Sequence, residues 1–585
     1  MKERKGLCLI ALCLLILLPL GADIFQGGSG TANDPWLVAT AEQLNLVRNY
    51  LNNFNHYFKQ VADIDLGVDP YNLGQGWLPI GSYQNNSFRG SYDGDGFSIS
   101  GLYINSSTFP HQGLFGYAYG ARLSNVHVVN ANVTGSYAVG ALLGLGKEST
   151  VISGCSSSGS VTGAQYSVGG LVGTLEWWSS MSASHSSVSV TGMQSTVGGL
   201  LGNSYYVSLI SGCSSTGPVN CPDTNSSGSA GGMIGSSGYS TIRDSWSSSV
   251  ITALSNSSVG GFIGSVTGSN LIEDCYASGN VTARNQCGGF VGYNYQGSTI
   301  HLCYAIGNVT AVEMYEGYCG GFVGTNQSGG EGLAIIYRCY STGIANAYKS
   351  TGGFVGRNVS GKVYKCFATG NAIGTSRIGS FCGESLSNGE ISDCYASGSV
   401  SGNEQSGGFI GSNQEPSLLA RCFNYGPVSF SGTYYVGGFC GIGAASQATD
   451  CYWNTQTTGI STSACGSGRS TAEMTWPYDP NTYQNYDFTS IWGQDQGYVF
   501  NNGYPYMSWR YLIPPGALTV SQTGSTIELS WTSVPGANSY KVYASSDPYA
   551  DDDQWAQLGT TASLAYTTSA ESKMFFRVLA SSSAP

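Results

Sequence analysis

Gly260-Gly261-Phe262-Ile263-Gly264, Cys275-Tyr276-Ala277 and Gly279-Asn280-Val281 recur 28 residues later as Gly288-Gly289-Phe290-Val291-Gly292, Cys303-Tyr304-Ala305 and Gly307-Asn308-Val309. Working outward, further Gly-Gly-apolar-apolar-Gly copies begin at Gly169, Gly198, Gly231, Gly320, Gly352, Gly407 and Gly437. Degenerate copies begin at Gln112, Gly140 and Gly379, giving twelve in all. Steps of about 29 residues sustained over twelve copies mark a repeat architecture. The cysteine landmark is Cys155, Cys213, Cys275, Cys303, Cys339, Cys366, Cys394, Cys422 and Cys451, the same position in nine of the coils.

Each copy holds three short β-like runs separated by Gly, Asn and Ser. No copy carries a 3.6-residue period, which excludes leucine-rich, ankyrin and other helical repeats. A propeller blade needs four strands over 40 or more residues. Three strands in about 29 residues fit one coil of a right-handed parallel β-helix, an all-β solenoid. Stacking turns equivalent positions into columns along the rod.

Composition agrees. Of 585 residues, 10% are charged, 12% aromatic and 85 are Gly. An apolar share of 41% argues against disorder. A net charge of −12 gives no electrostatic footprint for nucleic acid. Lys2, Arg4 and Lys5 precede the apolar run Leu7–Leu20, and Leu20-Gly21-Ala22 ends it with small residues. This reads as a secretory signal over residues 1–22, cleaved after Ala22. The mature chain is expected to be secreted or at the cell surface, without a membrane span. Fifteen of the 17 Cys follow that cut.

The Gly-Gly-Leu-Val-Gly element at Gly169–Gly173 resembles the GLUG motif of bacterial secreted and surface proteins. Asn33-Asp34-Pro35-Trp36, Glu42-Gln43-Leu44, Asp63-Ile64-Asp65-Leu66, Trp77–Gly81 and Phe88-Arg89-Gly90 resemble the lead-in of such proteins. The resemblance spans roughly residues 23–510. It implies an adhesin or surface protein; some repeats of this kind adjoin peptidases that cleave immunoglobulin A. Trp531, Tyr540 and Phe575-Phe576-Arg577-Val578 resemble a fibronectin type III domain, a small β-sandwich.

The expected organisation is therefore a signal over 1–22, an N-terminal cap and first coils over 23–110, and the repeat β-helix over 111–452. A C-terminal cap and linker cover 453–513, and the fibronectin-like sandwich covers 514–585. Thr40–Phe58 is expected to form an amphipathic helix closing the first end, with Leu44, Val47, Leu51, Phe54 and Phe58 on one face.

The cysteine column is expected to be a buried ladder of reduced thiols. Cys287 and Cys319 share a second column and are the better candidates for a bridge. If Cys points inward, Tyr276, Tyr304, Tyr340, Phe367, Tyr395, Phe423 and Tyr452 form an outward aromatic stripe. That stripe either stacks upon itself or binds ligand. Tyr276, Tyr304, Tyr340 and Tyr395 are its binding candidates. Trp177, Trp178 and Tyr315, in segments that depart from the repeat, are further ones. Beside the stripe, Lys365, Asp393, Arg421 and Asp450 alternate in sign, which suits exposed ion pairs between coils. The rival to adhesion is a β-helix carbohydrate-active enzyme, for which Asp244 and Asp274, with Glu273, are the best acids. No HExxH occurs, and none of the five His sits at a metal spacing. No catalytic residue, metal or cofactor is expected; the expected partner is an extracellular glycan or surface protein.

Overall fold

The structure, a computed structural model, describes residues 25–106, 110–193, 195–222, 228–254, 258–313, 317–330, 332–432, 434–510, 518–534, 537–546, 555–569 and 574–581. The leader at 1–22 lies outside the described residues, as do Cys8, Cys13 and Tyr315.

The glycine motif makes the sharpest corner of each coil. Strand Gln286–Gly288 runs into strand Val291–Tyr295. A Cβ on Gly288 would lie 2.0 Å from the Val291 carbonyl oxygen. One on Gly292 would lie 2.4 Å from the Val259 nitrogen of the preceding coil. Two sheets thus meet backbone against backbone, a close approach only Gly allows. The Phe between them turns inward: Phe262, Phe290, Phe322, Phe354, Phe381, Phe409 and Phe439 are fully buried. Their rings stack with centroids 4.8–5.0 Å apart. That spacing is the distance between neighbouring strands, so the ring column and the sheet reinforce one register.

The coil continues through Thr299–His301, Tyr304–Ala305 and Val309–Ala311. Five short strands make this turn where three were expected. One break falls before the Cys column, whose preceding residue turns left-handed at Asp244, Asp274, Leu302, Arg338, Lys365, Asp393, Arg421 and Asp450, with φ of 50–56°, although at Asp393 and Arg421 the strand runs on through it. Another falls at Gly307, where a Cβ would lie 2.0 Å from the Gly279 carbonyl oxygen.

Successive coils pair in parallel, residue for residue: Gln286↔Tyr318, Val291↔Val323, Tyr276↔Tyr304. Among the described residues, two sheets hold 12 strands each, and a 38-stranded sheet wraps the remaining sides. The result is an all-β parallel solenoid of about twelve coils, on the order of 60 Å long at ~4.8 Å per coil.

The N-terminal helix is shorter than its periodicity predicts. An α-helix spans Ala41–Leu46 and a 3-10 turn Val47–Asn49. Thr40 accepts from the Gln43 N–H, while the Gln43 side chain accepts from the Ala39 N–H. Leu44 and Val47 enter the core. Phe58 instead belongs to strand Tyr57–Gln60, paired on both sides by Trp36–Val38 and Ser91–Asp93. Ladder pairing there overrides the helical spacing of Phe54 and Phe58.

At the other end, Ser467–Arg469 pairs with Tyr452–Asn454 and extends the ladder. The chain beyond does not simply close the end. Residues 474–509 fold back along the flank of the rod, burying Tyr340, Phe367, Tyr395, Phe423 and Tyr452 with Met474, Tyr483, Trp492, Tyr504 and Trp509. Further on, two three-stranded antiparallel sheets share a core of Ile527, Leu529, Trp531, Tyr540, Val542 and Val578.

Candidate functional site

Because the glycine corner leaves no side chains between the two sheets it joins, their outer faces look at each other across a re-entrant groove. One wall carries the register column His111, Ala138, Ser167. The other carries Tyr117, Leu145, Thr174, Asn203. At coils one to four this groove encloses about 570 Å³.

Tyr137 and Tyr166 stand on its first wall, 29 residues apart in sequence and one coil apart in space. Their rings lie 4.3 Å apart, and Tyr166 is 57% exposed. Tyr166 has φ 59°, so its ring leaves the strand at a left-handed corner. On the opposite wall Lys147 Nζ lies 3.4 Å from Glu176 Oε2 and 5.7 Å from the Trp177 ring. Trp177 and Trp178 follow on the rim. Their N–H groups donate to the carbonyls of Tyr205 and Tyr206 in the next coil, continuing the register that pairs Glu176 with Tyr205. They therefore occupy a regular turn of the repeat, not an insertion. Trp177, Tyr206 and Tyr239 stack in sequence at 5.3 and 4.5 Å, and Trp178 is 60% exposed.

His111 closes the floor. Its Nδ1 donates to the Ser82 carbonyl at 3.0 Å, and its ring meets Tyr117 edge-on at 5.3 Å. Burial lowers its pKa, outweighing the raising effects of the Ser82 carbonyl and of Glu176. A neutral imidazole therefore presents Nε2 as an acceptor. The site offers flat aromatic faces beside hydroxyl, amide, ammonium and carboxylate groups. That mixture suits the apolar faces and hydroxyls of sugars. Among the described residues lining it, Glu176 is the one acid, whereas glycoside hydrolysis ordinarily uses two carboxylates.

The aromatic stripe forms, with a different fate at each end. Trp246, Tyr276 and Tyr304 stack at 5.8 and 4.9 Å and are half-buried. Tyr340 and Tyr395, expected as outward ligand platforms, are buried, Tyr395 to 1% exposure. The Trp509 indole donates to the Lys365 carbonyl at 3.0 Å, and the Arg510 guanidinium lies 4.6 Å over Tyr340. The ion-pair column changes in the same way. Arg421 grips Asp393 with two bonds of 2.7 Å, and Asp393 is buried beneath Trp492. Asp450 accepts from Asn485 instead of a neighbouring cation.

All nine ladder cysteines are free and buried, as are Cys287 and Cys319, which face each other in register. Burial pushes the Cys155 and Cys213 thiols up to about 12. Asp244 and Asp274 are exposed left-handed corners outside the groove, and Arg243 Nε lies 3.9 Å from Asp244. Among the described residues no group of three or more His, Cys, Asp or Glu could hold a metal, and no helix is long and apolar enough to cross a membrane.

Residues 255–282 and 374–401 match the family model of the GLUG motif. The chain carries GLUG repeats. It is 38% identical over 136 residues to a candidate Gly-rich membrane protein of Evansella cellulosilytica, covering 22% of this chain and 15% of that one. It is 34% identical over 121 residues to halomucin of Haloquadratum walsbyi, covering 20% of this chain and 1% of that one. The chain thus spans a small part of the length of both curated relatives. A crystal structure described as a candidate immunoglobulin A1 protease from Bacteroides ovatus aligns over 49% of this chain and 80% of its own, with 20% identity and a TM-score of 0.35.

Proposed function

We propose that this GLUG-repeat solenoid is an exported, surface-associated or secreted adhesion protein that binds an extracellular glycan without chemically changing it. The observation that carries the reading is the pair of exposed rings, Tyr137 and Tyr166, 4.3 Å apart and tilted by 39° at the edge of a polar groove. Exposed aromatic faces beside hydrogen-bonding groups are an ordinary means of holding a sugar. Among the described residues lining the groove beside these rings Glu176 is the one carboxylate, which supports binding over hydrolysis. The solenoid serves as a stiff display rod, and the C-terminal double-sheet unit, fibronectin type III-like in its Trp531 and Tyr540 landmarks, as spacer or docking module. The leader over residues 1–22 supports export, and the name of the Evansella relative, a membrane protein, supports a surface location.

The test is a glycan array probed with the chain from residue 23 onward, repeated with Tyr137→Ala/Tyr166→Ala. Loss of a glycan signal by about tenfold or more, equivalent to about 1.4 kcal/mol, is expected. No new reducing ends or unsaturated sugars should appear on incubation with the bound glycan. Undiminished binding by the double variant would refute the groove assignment, and released product would refute the non-catalytic one.

A further inference from the structure

The groove continues past its aromatic end. The column Leu145, Thr174, Asn203 runs on in register through Ser236, Ser265 and Tyr293 to Thr325 and Arg357. On the facing wall, Gln286 is followed by Tyr318 in direct register. Cross-wall contacts show that the two faces still oppose each other there. The Arg357 guanidinium lies 4.9 Å over the Tyr318 ring. Ser350 donates to Glu384 Oε1 at 3.1 Å, and Arg377 Nη1 to Glu384 Oε2 at 2.6 Å.

The charges of this cluster do not cancel. Arg357 and Arg377 share one carboxylate, Glu384, whose side chain is 3% exposed. One positive charge is left over in a chain of net charge −12. Both guanidinium side chains keep about a third of their surface open, at 31% and 27%. A second observation is independent of charge. Thr325 is 2% exposed, and its Oγ1 has no hydrogen-bond partner among the described residues. Arg357 Nε, next in the same column, is held only by its ion pair with Glu384 Oε1 at 3.4 Å, without hydrogen-bond geometry. Burying a hydroxyl with no partner is unfavourable, so the Thr325 hydroxyl beside a partly open guanidinium in a groove points to a ligand.

We infer that Arg357, Arg377 and Thr325 form a subsite for the acidic group of a glycan, a carboxylate or a sulfate ester, lying along the same groove. The inference rests on the reading of that groove as a glycan-binding face, and narrows the ligand to an anionic polysaccharide. Planar guanidinium forks match such oxyanions, and the Thr325 hydroxyl supplies a third donor. The coils carrying Tyr166 and Arg357 are about six apart, on the order of 29 Å at ~4.8 Å per coil. Between them the two columns carry Ser229, Ser236, Ser258 and Ser265, of which Ser258 and Ser265 are buried, and then Gln286, Tyr293 and Tyr318.

The experiment is calorimetric titration of the chain from residue 23 onward with oligogalacturonate, a heparin-derived hexasaccharide and neutral maltohexaose. It is run on the parent, Arg357→Gln, Thr325→Val and Tyr137→Ala/Tyr166→Ala. At least one acidic probe should bind, weaken steeply with added salt, and lose about tenfold or more in affinity in Arg357→Gln. Preference for the first probe names a carboxylate, for the second a sulfate. Thr325→Val should weaken the acidic probe severalfold while leaving the thermal midpoint unchanged or higher, because it removes an unpartnered hydroxyl. A merely structural hydroxyl would not behave so. If Arg357→Gln fails to fold, Thr325→Val decides alone. Failure of both acidic probes to bind the parent, or equal affinity in the folded variants, overturns the inference. Acidic binding that survives Tyr137→Ala/Tyr166→Ala but falls in Arg357→Gln supports the subsite and refutes the aromatic platform; the reverse pattern refutes the subsite alone.

Discussion

The backbone N–H of Cys303 donates to Sγ of Cys339 across 3.4 Å, so the thiol of one coil satisfies the amide of the coil before it. Cys339 donates in turn to Cys366 at the same distance. The left-handed residues Leu302 and Arg338 separate the flanking strands just before Cys303 and Cys339, whereas the strand runs on through Asp393 and Arg421. In coils lacking the Cys, a Ser does the same work: Ser184 accepts from Cys155 and Ser245 from Cys213, at 3.2 and 3.1 Å. Each group also donates to the carbonyl two residues back, as Cys339 does to Tyr337 and Ser245 to Arg243.

Cys339→Ser should therefore stay within about 1 kcal/mol of the parent, whereas Cys339→Ala should be destabilising by about 1–3 kcal/mol through an orphaned buried N–H. Urea unfolding of the two variants measures the difference. Equal loss in both would mean that sulfur packing, and not the hydrogen bond, keeps cysteine in the column.

Gly288→Ala tests the re-entrant corner. Its Cβ would sit 2.0 Å from a backbone oxygen, where no side chain can swing aside. The strand must move, at a penalty of about 1–3 kcal/mol or more. In a solenoid the damage should stay with the altered coil and its neighbours. Hydrogen exchange should rise near Gln286–Tyr295 and remain low at Phe115–Tyr119. A uniform rise along the rod would show cooperativity far longer than nearest neighbours.

The repeat was legible because every coil meets the same steric demands: glycine at the corner, a large apolar side chain inside, a small hydrogen-bonding side chain after the left-handed residue. Tyr137 and Tyr166 were equally legible in principle, since each stands three residues before the first glycine of its coil. The fate of the aromatic stripe was not. Periodicity fixes which residues share a column, and says nothing about a non-repeating segment that returns to cover it. Arg510 reaches the Tyr340 hydroxyl from 170 residues away, and no spacing rule announces such a contact.

His301 gives the solenoid an acid-sensitive coil. Its ring stacks on Tyr337 at 4.1 Å, and its Nε2 is buried without a hydrogen-bond partner among the described residues. Burial first, and the neighbouring Arg338 second, push its pKa down from 6.5 to about 4. As pH falls below 6.5 the unfolded chain takes up this proton before the folded one does. Stability is therefore lost between pH 6.5 and about 4, with no effect of this group above that window. The loss is smaller than the full shift implies, because the ring is partly open to solvent. His301→Phe should narrow the gap between urea midpoints measured at neutral pH and at mildly acidic pH. An unchanged gap would assign the acid sensitivity to other groups, His111 and His185 first, whose pKa values burial also lowers.

Trp492 is the keystone of the segment that covers the aromatic stripe. Its ring lies 5.6 Å from Phe423 and 6.3 Å from Tyr395, and its indole N–H reaches Asp393 at 3.4 Å. Trp492→Ala removes that packing and leaves the Asp393–Arg421 pair open to water, a loss of about 3–5 kcal/mol from the flank. The coils beneath are held by their own ladders, so the flank should loosen first. Limited proteolysis should cut within residues 475–505 while the rod stays intact, and a hydrophobic dye should bind the uncovered rings. Glycan binding at Tyr137 and Tyr166, on coils far from the flank, should not change. If the variant instead gains a glycan signal of its own, the buried end of the stripe is a second sugar platform that the flank keeps closed; if the whole rod melts with the flank, residues 474–509 are part of the solenoid's folding unit and not a cover laid upon it.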